Sequence, residues 1–192
     1  MKNNLQIISS LLNIQSRSLK DDKARQAIKE GQSRIKSMAL IHQKLYGSDN
    51  LSKIDMKEYI EQLSDFLFSS FKPLDQIERS VDINETYLDV NTAVPLGLII
   101  NELISNAYKY AFESIDYKGK LHVSLGMNDK GKYELLIADN GKGIADDFNI
   151  EESDSLGLSL VYSLTEQIQG TIKLNKQEGT EFRIEFNDKL VA

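Results

Sequence analysis

Three polar residues recur at helical spacing in the segment 101–107 and just beyond it. Glu102, Asn106 and Lys109 are separated by four and three positions, which places their side chains in one row on a helix. Asparagine is a poor interior helix former, so its presence favours a chemical role. An amide oxygen beside a carboxylate suits Mg²⁺, which prefers oxygen ligands and keeps several waters. The row is a candidate magnesium site; the alternative is the solvated face of an amphipathic helix.

A second polar group follows an apolar run that ends at Asp139. Gly141 and Gly143 come directly after it, and at glycine the backbone can approach a ligand closely. A carboxylate shielded from water at a strand end would accept a hydrogen bond from an amino group with good discrimination. Because Asp-Asn-Gly is also a common turn sequence, a plain turn remains the alternative.

Two further segments are weaker signals. Ser155–Leu158 contains Gly157 and precedes an apolar helical pattern, and the N–H groups at a helix N-terminus can bind an anion. Glycine is equally ordinary at the start of a helix. The segment 179–182, which includes Thr180, reads first as a hairpin turn.

The first third of the chain must form helices. Apolar residues recur at spacings of three and four from Leu5 to Leu19, and again from Ala24 to Leu45, which predicts two packed helices. We expect Asp22 to cap the second helix and Gly47 to lie at its end. The apolar stripes are wider than one partner helix covers, so a homodimer with a four-helix bundle is favoured over packing within the chain.

The remainder predicts an α+β arrangement in which helices cover one face of a mixed sheet. The expected elements are a helix capped by Asp55 and ending before Pro73, strands at 77–83 and 87–90, a long helix capped by Thr92, a hairpin with strands at 121–125 and 133–137, a helix at 158–168, and a final strand pair at 171–175 and 180–186. The predicted domains are a helical hairpin over residues 1–48 and an α/β-sandwich over residues 49–192.

Composition excludes several classes of function. The 192 residues include 23 Lys+Arg against 29 Asp+Glu, a net charge of −6, which argues against a nucleic-acid partner. The chain has no cysteine, so disulfides and a cysteine nucleophile are excluded, and a reducing compartment is favoured. No apolar run reaches the roughly 18 residues of a membrane span. No signal peptide is visible, and a cytoplasmic location is expected.

The order of these segments resembles the ATP-binding module of the histidine kinase, DNA gyrase and heat-shock-protein-90 superfamily. Residues 101–110 resemble its asparagine box, 139–144 the first glycine box, 155–158 the second and 178–182 the final one. Residues 2–12 are similar to the dimerisation helix of sensor histidine kinases with the signature His-Arg-x-Lys-Asn-Asn-Leu-Gln, and residues 38–46 to the second helix of that subfamily.

The resemblance implies that ATP and Mg²⁺ are the cofactors. It implies that Asp139 binds the adenine amine with support from Thr180, and that Asn106 coordinates Mg²⁺. Glu102 would orient the metal's water or act as the base toward the acceptor, and is the expected catalytic residue. Lys109 would lie near the phosphates.

The remaining implied roles concern the walls of the nucleotide site. Tyr110, Gly141, Gly143, Ile144, Gly157 and Leu158 would contact the nucleotide. Residues 145–155 would form a lid with Phe148 and Ile150 as apolar anchors, and its acidic residues would face solvent. The implied partners are a second copy of the chain and a response-regulator receiver domain.

Two departures from the resembled pattern affect the functional prediction. Ser155 stands where the second glycine box often has its first glycine. Aligned on residues 2–6, Met1 falls at the variable position of the signature, so the acceptor histidine would precede it and the chain would be a fragment. Neither His42 nor His122 has the first-helix context. The open alternatives are a docking module with a vestigial nucleotide fold and a related ATPase or serine-kinase-type regulator.

Overall fold

The computed structural model describes residues 2–18, 21–47, 53–71, 77–113, 116–145, 148–150, 155–176 and 178–188. It begins with two helices, α1 (Lys2–Ser18) and α2 (Asp22–Gly47), which pack against each other as the predicted hairpin. Asp22 is the first residue of α2, and its carboxylate accepts a hydrogen bond from Arg25 at 2.7 Å. The predicted cap at Asp22 is therefore wrong by one position, because the helix has already begun there.

The rest of the chain alternates short strands with helices. The elements are β1 (Lys53–Asp55), α3 (Met56–Ser70), β2 (Ile77–Ile83), β3 (Tyr87–Asp89), α4 (Val90–Asn106), a π-helical turn (Ala107–Ala111), β4 (Gly119–Met127), β5 (Tyr133–Asp139), α5 (Leu156–Gln167), β6 (Thr171–Asn175) and β7 (Thr180–Phe186). Among the described residues, five strands form a sheet of order β2-β4-β5-β7-β6, in which β2 and β4 run parallel and the other neighbours antiparallel. The predicted α+β class with a mixed sheet is confirmed.

Two helix starts differ in how well the sequence predicted them. Asp55 caps α3 as expected, and its carboxylate accepts from the Glu58 N–H at 3.2 Å. The cap of α4 is Asp89, which accepts from the Asn91 N–H at 2.8 Å, and the expected cap Thr92 lies in the first turn. The Thr92 hydroxyl instead donates to the buried carboxylate of Asp188. Thr92 therefore bonds a residue far away in the sequence instead of capping its own helix.

The core lies between the helices and one face of the sheet. Every second residue of β7, beginning at Phe182, is buried, and the residues between are only partly so, as the predicted alternation requires. The buried face of α4 includes Leu96, Ile99, Ile100 and Leu103, each at most 2% exposed. A two-stranded pairing of β1 with β3 was not predicted, since three residues are too few for a periodic signal.

Sheet register determines which polar groups meet. Asp139, the last residue of β5, lies opposite Leu121 of β4 and opposite Thr180, the first residue of β7. The sheet therefore presents a carboxylate and a hydroxyl side by side at one edge of the core. The C-terminal end of α4 and the π-helical turn border the same region, because residues of both line one cavity together with Asp139 and Thr180.

Packing of α3 against α4 depends on Gly97. A Cβ atom at this position would overlap the ring of Tyr59, which is fully buried. We expect Gly97→Ala to lower the free energy of unfolding by about 1–3 kcal/mol or more, because overpacking forces side chains or backbone to shift. Gly31→Ala in α2 is the matched control, since nothing lies within 4 Å of its Cβ. There the higher helix propensity of alanine should raise stability by about 0.5–1 kcal/mol.

Urea denaturation followed by circular dichroism measures both variants. Equal effects of the two substitutions would contradict the packing interpretation.

Candidate active site

A cavity of about 400 Å³ opens between α4, the π-helical turn, β5, α5 and β7. Its walls combine apolar side chains with a few charged and polar groups: Glu30, Glu102, Leu103, Asn106, Ala107, Lys109, Tyr110, Ala111, Ile137, Asp139, Gly143, Ile144, Phe148, Ser155, Leu156, Gly157, Leu158, Thr180 and Phe182. A mostly apolar pocket with few convergent polar groups is the usual form of a small-molecule site.

Asp139 provides the carboxylate at one end of the cavity. Its Oδ1 accepts a hydrogen bond from the Gly141 N–H at 2.9 Å. Burial raises the pKa of Asp139, and hydrogen bonds from Gly141 and from the backbone and hydroxyl of Thr180 only partly oppose that rise. The carboxylate is thus held in one orientation in a largely dry setting, where it can select for a donor group on a ligand.

Three glycines allow the backbone to pass close to this carboxylate. Gly179 has φ of 90°, and a Cβ on it would overlap the carbonyl oxygen of Asp139. Gly143 has φ of 73°. Gly141 packs against the backbone of Ala111 so tightly that a Cβ there has no room. The glycines therefore fix the position of Asp139 and Thr180.

The C-terminal part of α4 supplies the opposite wall. Glu102 and Asn106 face the cavity, and the π-helical turn that follows carries Lys109 and Tyr110. A π-helical turn fits an extra residue into the helix, and such turns are frequent at functional sites. Tyr110 is 59% exposed. Glu102 is only 5% exposed, so the solvated-face alternative for this row does not apply to Glu102, because α2 covers it.

Helix α5 begins beside this wall. The Ser155 hydroxyl caps it by accepting from the Leu158 N–H at 3.3 Å. A Cβ on Gly157 would lie 2.8 Å from Oε2 of Glu102, so glycine at this position lets the helix start approach the carboxylate. Ser155, which replaces a glycine of the resembled motif, therefore has a local structural role.

The segment expected to be a lid is described only in part. Phe148 lines the cavity, as predicted for an apolar anchor, whereas Ile150 packs on the core without lining it. Lys176 donates to the carbonyls of Ala145 and Phe148 at 3.0 and 2.8 Å, which ties this segment to the β6–β7 turn. The acidic residues 146, 147, 151, 152 and 154 lie outside the described residues.

The structure brings together nearly all residues that the sequence singled out. Glu102, Asn106, Lys109, Tyr110, Asp139, Gly143, Ile144, Gly157, Leu158 and Thr180 line the one cavity, and Gly141 lies directly behind Asp139. Glu30 of α2 lines it too and was not predicted. No local pattern could have found it, since its place depends on how the hairpin packs against α4.

The two histidines lie elsewhere. His122 places Nδ1 2.7 Å from the Ser80 hydroxyl on the β2–β4 pair, and its side chain is 35% exposed. His42 is partly buried on α2. Neither lines the cavity.

Comparison with known proteins identifies the class. Residues 91–190, more than half of the chain, match the family of histidine kinase-, DNA gyrase B- and HSP90-like ATPases. The chain therefore belongs to this family. Residues 1–71 match a second family described as histidine kinase, and the two matches in this order define the chain as a histidine kinase transmitter core.

Curated relatives are consistent with this assignment. The chain is 28% identical over 180 residues to the sensor histidine kinase PdtaS of Mycolicibacterium smegmatis, covering 91% of the chain and 35% of the relative. It is 28% identical over 188 residues to PdtaS of Mycobacterium tuberculosis, covering 94% of the chain and 36% of the relative. The chain thus spans about a third of the length of these relatives.

Solved structures share the fold. The histidine kinase domain of a blue-light activated histidine kinase from Erythrobacter litoralis superposes with a TM-score of 0.76 at 16% identity, covering 94% of this chain and 95% of that one. The histidine kinase AdeS of Acinetobacter baumannii gives a TM-score of 0.57 at 23% identity, with 97% and 96% coverage. At these identities the likeness concerns the fold alone.

The described residues contain neither a membrane-spanning helix nor a cluster of acidic, histidine or cysteine ligands. No helix there is long and apolar enough to cross a membrane. No group of three or more His, Cys, Asp or Glu in the described part could hold a metal ion by itself.

Proposed function

We propose that this chain binds Mg-ATP in the 400 Å³ cavity and serves phosphoryl transfer to a histidine, and from there to an aspartate of a response regulator. The observation that carries the proposal is that Asp139 at the end of β5 and Asn106 at the end of α4 line the same cavity. Membership of a histidine kinase and ATPase family supports nucleotide binding in general. The specific residue roles below are part of the proposal.

The base end is assigned to Asp139. Its carboxylate would accept a hydrogen bond from the exocyclic amine of adenine, while the Gly141 N–H and the Thr180 hydroxyl hold it in place. Guanine presents a carbonyl oxygen at the corresponding position, which would meet the carboxylate without a proton between them. The cavity should therefore prefer adenine to guanine nucleotides.

The phosphate end is assigned to Asn106, Lys109 and Glu102. The Asn106 amide oxygen fits Mg²⁺, which accepts few protein ligands when phosphate oxygens and water supply the rest. When bound, the metal ion would neutralise charge on the phosphates. Lys109 would contact the phosphates. Glu102 would orient the water bound to the metal or act as the base toward the acceptor. Tyr110, Gly143, Ile144, Gly157 and Leu158 would contact the nucleotide, with Gly141 behind them.

The exposed apolar residues of the helical hairpin support a second copy of the chain as a partner. Ile7, Leu11 and Ile14 of α1 are 55%, 55% and 68% exposed, and Met38 of α2 is 37% exposed. An apolar face of this kind supports a homodimer formed through the helices over residues 1–48. The response regulator is proposed from the kinase class alone. Light scattering at micromolar concentration tests the dimer, and a strict monomer would contradict it.

Titration calorimetry tests the nucleotide proposal directly. We expect a non-hydrolysable ATP analogue to bind with Mg²⁺ and the matching GTP analogue to bind much more weakly. Equal affinity for both analogues would contradict the role of Asp139. Incubation with labelled ATP and a longer chain that carries the signature histidine then distinguishes a kinase, which labels that chain, from a docking module, which labels nothing.

The metal assignment predicts the effect of Asn106→Ala. Without the amide oxygen, affinity for the ATP analogue in Mg²⁺ should fall about tenfold or more, toward the affinity measured in EDTA. Mutating residues that only hydrogen-bond a metal ligand already lowers metal affinity or activity about 10–100-fold, and loss of the ligand itself should cost at least as much. The control is Asn91→Ala on the same helix, whose side chain bonds Asp89 away from the cavity. An undiminished Mg²⁺ effect in Asn106→Ala would remove this residue from the metal site.

A further inference from the structure

Helix α2 places two charged side chains against the two charged residues at the phosphate end of the cavity. Glu30 Oε1 lies 2.6 Å from Lys109 Nζ. Arg34 donates from Nε and Nη2 to Oε1 and Oε2 of Glu102, both at 2.8 Å. We call these four residues the α2 latch.

The α2 latch is partly buried and supported by neighbours. Side-chain exposures are 17% and 6% for Arg34 and Glu102, and 18% and 29% for Lys109 and Glu30. Both Ser33 and Ser37 donate to the amide oxygen of Asn101, at 2.6 and 3.2 Å. Burial raises the pKa of Glu30, but hydrogen bonds from Lys109 and Gln26 and the charges of Lys109 and Arg34 outweigh it, so the pKa is lowered. The hydrogen bond to Glu102 raises the pKa of Arg34, so Glu30 and Arg34 are both charged at neutral pH.

The α2 latch occupies the groups that the proposed chemistry needs. The Arg34 guanidinium engages both carboxylate oxygens of Glu102, and the Asn101 amide also donates to Oε1 at 3.0 Å. Both carboxylate oxygens of Glu102 are thereby occupied. The Lys109 ammonium is neutralised by Glu30, whose carboxylate itself lines the cavity and would repel a triphosphate.

Release of the latch need not detach the whole hairpin. Ile41, near the other end of α2, is 1% exposed and belongs to the hydrophobic core. The Tyr59 hydroxyl also donates to the Ser37 carbonyl at 3.5 Å. The C-terminal half of α2 is therefore anchored in the core, whereas the half that carries Glu30 and Arg34 forms the ion pairs of the latch.

We propose that the α2 latch is an autoinhibitory contact in which Glu30 and the phosphates of a nucleoside triphosphate compete for Lys109. Binding of the triphosphate displaces Glu30, and the N-terminal half of α2 moves away from α4, which frees Glu102 from Arg34. This inference rests on the proposed nucleotide site. It adds that the position of the N-terminal half of α2 depends on whether phosphate is bound at Lys109.

Calorimetry with Glu30→Gln tests the competition. Removing the competing charge should tighten binding of the ATP analogue about tenfold, within the 5–150-fold range of typical coupling between sites. The matched control is Asp22→Asn, which removes one negative charge from the same helix at an exposed ion pair with Arg25 and should leave affinity unchanged. Thermal unfolding by circular dichroism establishes that both variants are folded.

Spin labels test the movement without altering the latch. Because the chain has no cysteine, labels can be placed at Ala27→Cys and Ser163→Cys, both exposed positions on α2 and α5. The ATP analogue should lengthen the distance between them. The control pair, Gln43→Cys with Ser163→Cys, should show a constant distance, because Gln43 lies beside the buried Ile41.

The outcomes separate the two proposals. Unchanged or weaker binding by Glu30→Gln, or a constant Ala27–Ser163 distance on saturation, overturns the autoinhibitory contact while nucleotide binding that depends on Asp139 still stands. Absence of nucleotide binding by the unaltered chain overturns both proposals.

Discussion

Asp139→Asn is expected to reduce affinity for the ATP analogue about 100-fold while the fold persists. The substitution exchanges one carboxylate oxygen for an NH₂ group, which would face the adenine amine as donor against donor. A buried polar group left without a partner costs about 3 kcal/mol, and about 1.4 kcal/mol corresponds to a factor of ten in affinity. Titration calorimetry measures the loss.

The stability of Asp139→Asn provides an internal check. Burial raises the pKa of Asp139 in the folded chain, so the ionised carboxylate opposes folding at neutral pH, and the contribution of this group to stability is lost as pH rises through that raised pKa. Asparagine lacks this cost and keeps an oxygen for the Gly141 N–H. The melting temperature should therefore be unchanged or higher. Asp129→Asn, at an exposed turn, is the control, and affinity equal to that of the control would refute the adenine assignment.

Gly179→Ala is expected to damage both stability and binding. Gly179 combines φ of 90° with a Cβ position that overlaps the Asp139 carbonyl. The left-handed conformation costs a non-glycine residue about 1–2 kcal/mol, and overpacking adds about 1–3 kcal/mol. Because β7 must shift to relieve the overlap, Thr180 would move away from Asp139 and nucleotide affinity should fall at least about tenfold.

Gly131→Ala separates the two contributions. Gly131 also has a positive φ, 73°, but nothing lies within 4 Å of its Cβ. We expect this variant to lose only about 1–2 kcal/mol from the backbone conformation and to bind nucleotide as the unaltered chain does. Urea denaturation and calorimetry compare the two variants. Similar losses in both would show that the contact with Asp139 is unimportant.

Local pattern predicted most of the regular structure. The alternation in 121–125 and 133–137 marked the β4–β5 hairpin, and an apolar helical spacing marked α4, but the π-helical form of residues 107–111 was not predicted. These predictions succeeded because one face of each element is buried, and burial imposes its period on the sequence. The three-residue strand β1 was missed because it is too short to show a period. The cap at Asp89 was missed because several nearby residues are equally able to cap a helix.

The candidate site was predicted in its parts but not in its surroundings. Glycines flanking Asp139, and the row Glu102, Asn106 and Lys109, can be found in the sequence because each lies within one short segment. Glu30 and Arg34 meet their partners across 79 and 68 positions of sequence. Contacts at such separations depend on how whole helices pack, and a charged residue on a helix otherwise indicates only a solvated face.

The two ends of the cavity differ in how firmly their charged side chains are held. Asp139 belongs to β5, which is hydrogen-bonded on both sides by β4 and β7, whereas the Lys109 ammonium on the π-helical turn is paired with Glu30 of α2. Strands in the middle of a sheet open last in hydrogen exchange, so the sheet fixes the Asp139 carboxylate, whereas the position of the Lys109 ammonium depends on α2. In the proposed complex, the purine of a bound nucleotide would therefore stay anchored while its polyphosphate tail samples several arrangements.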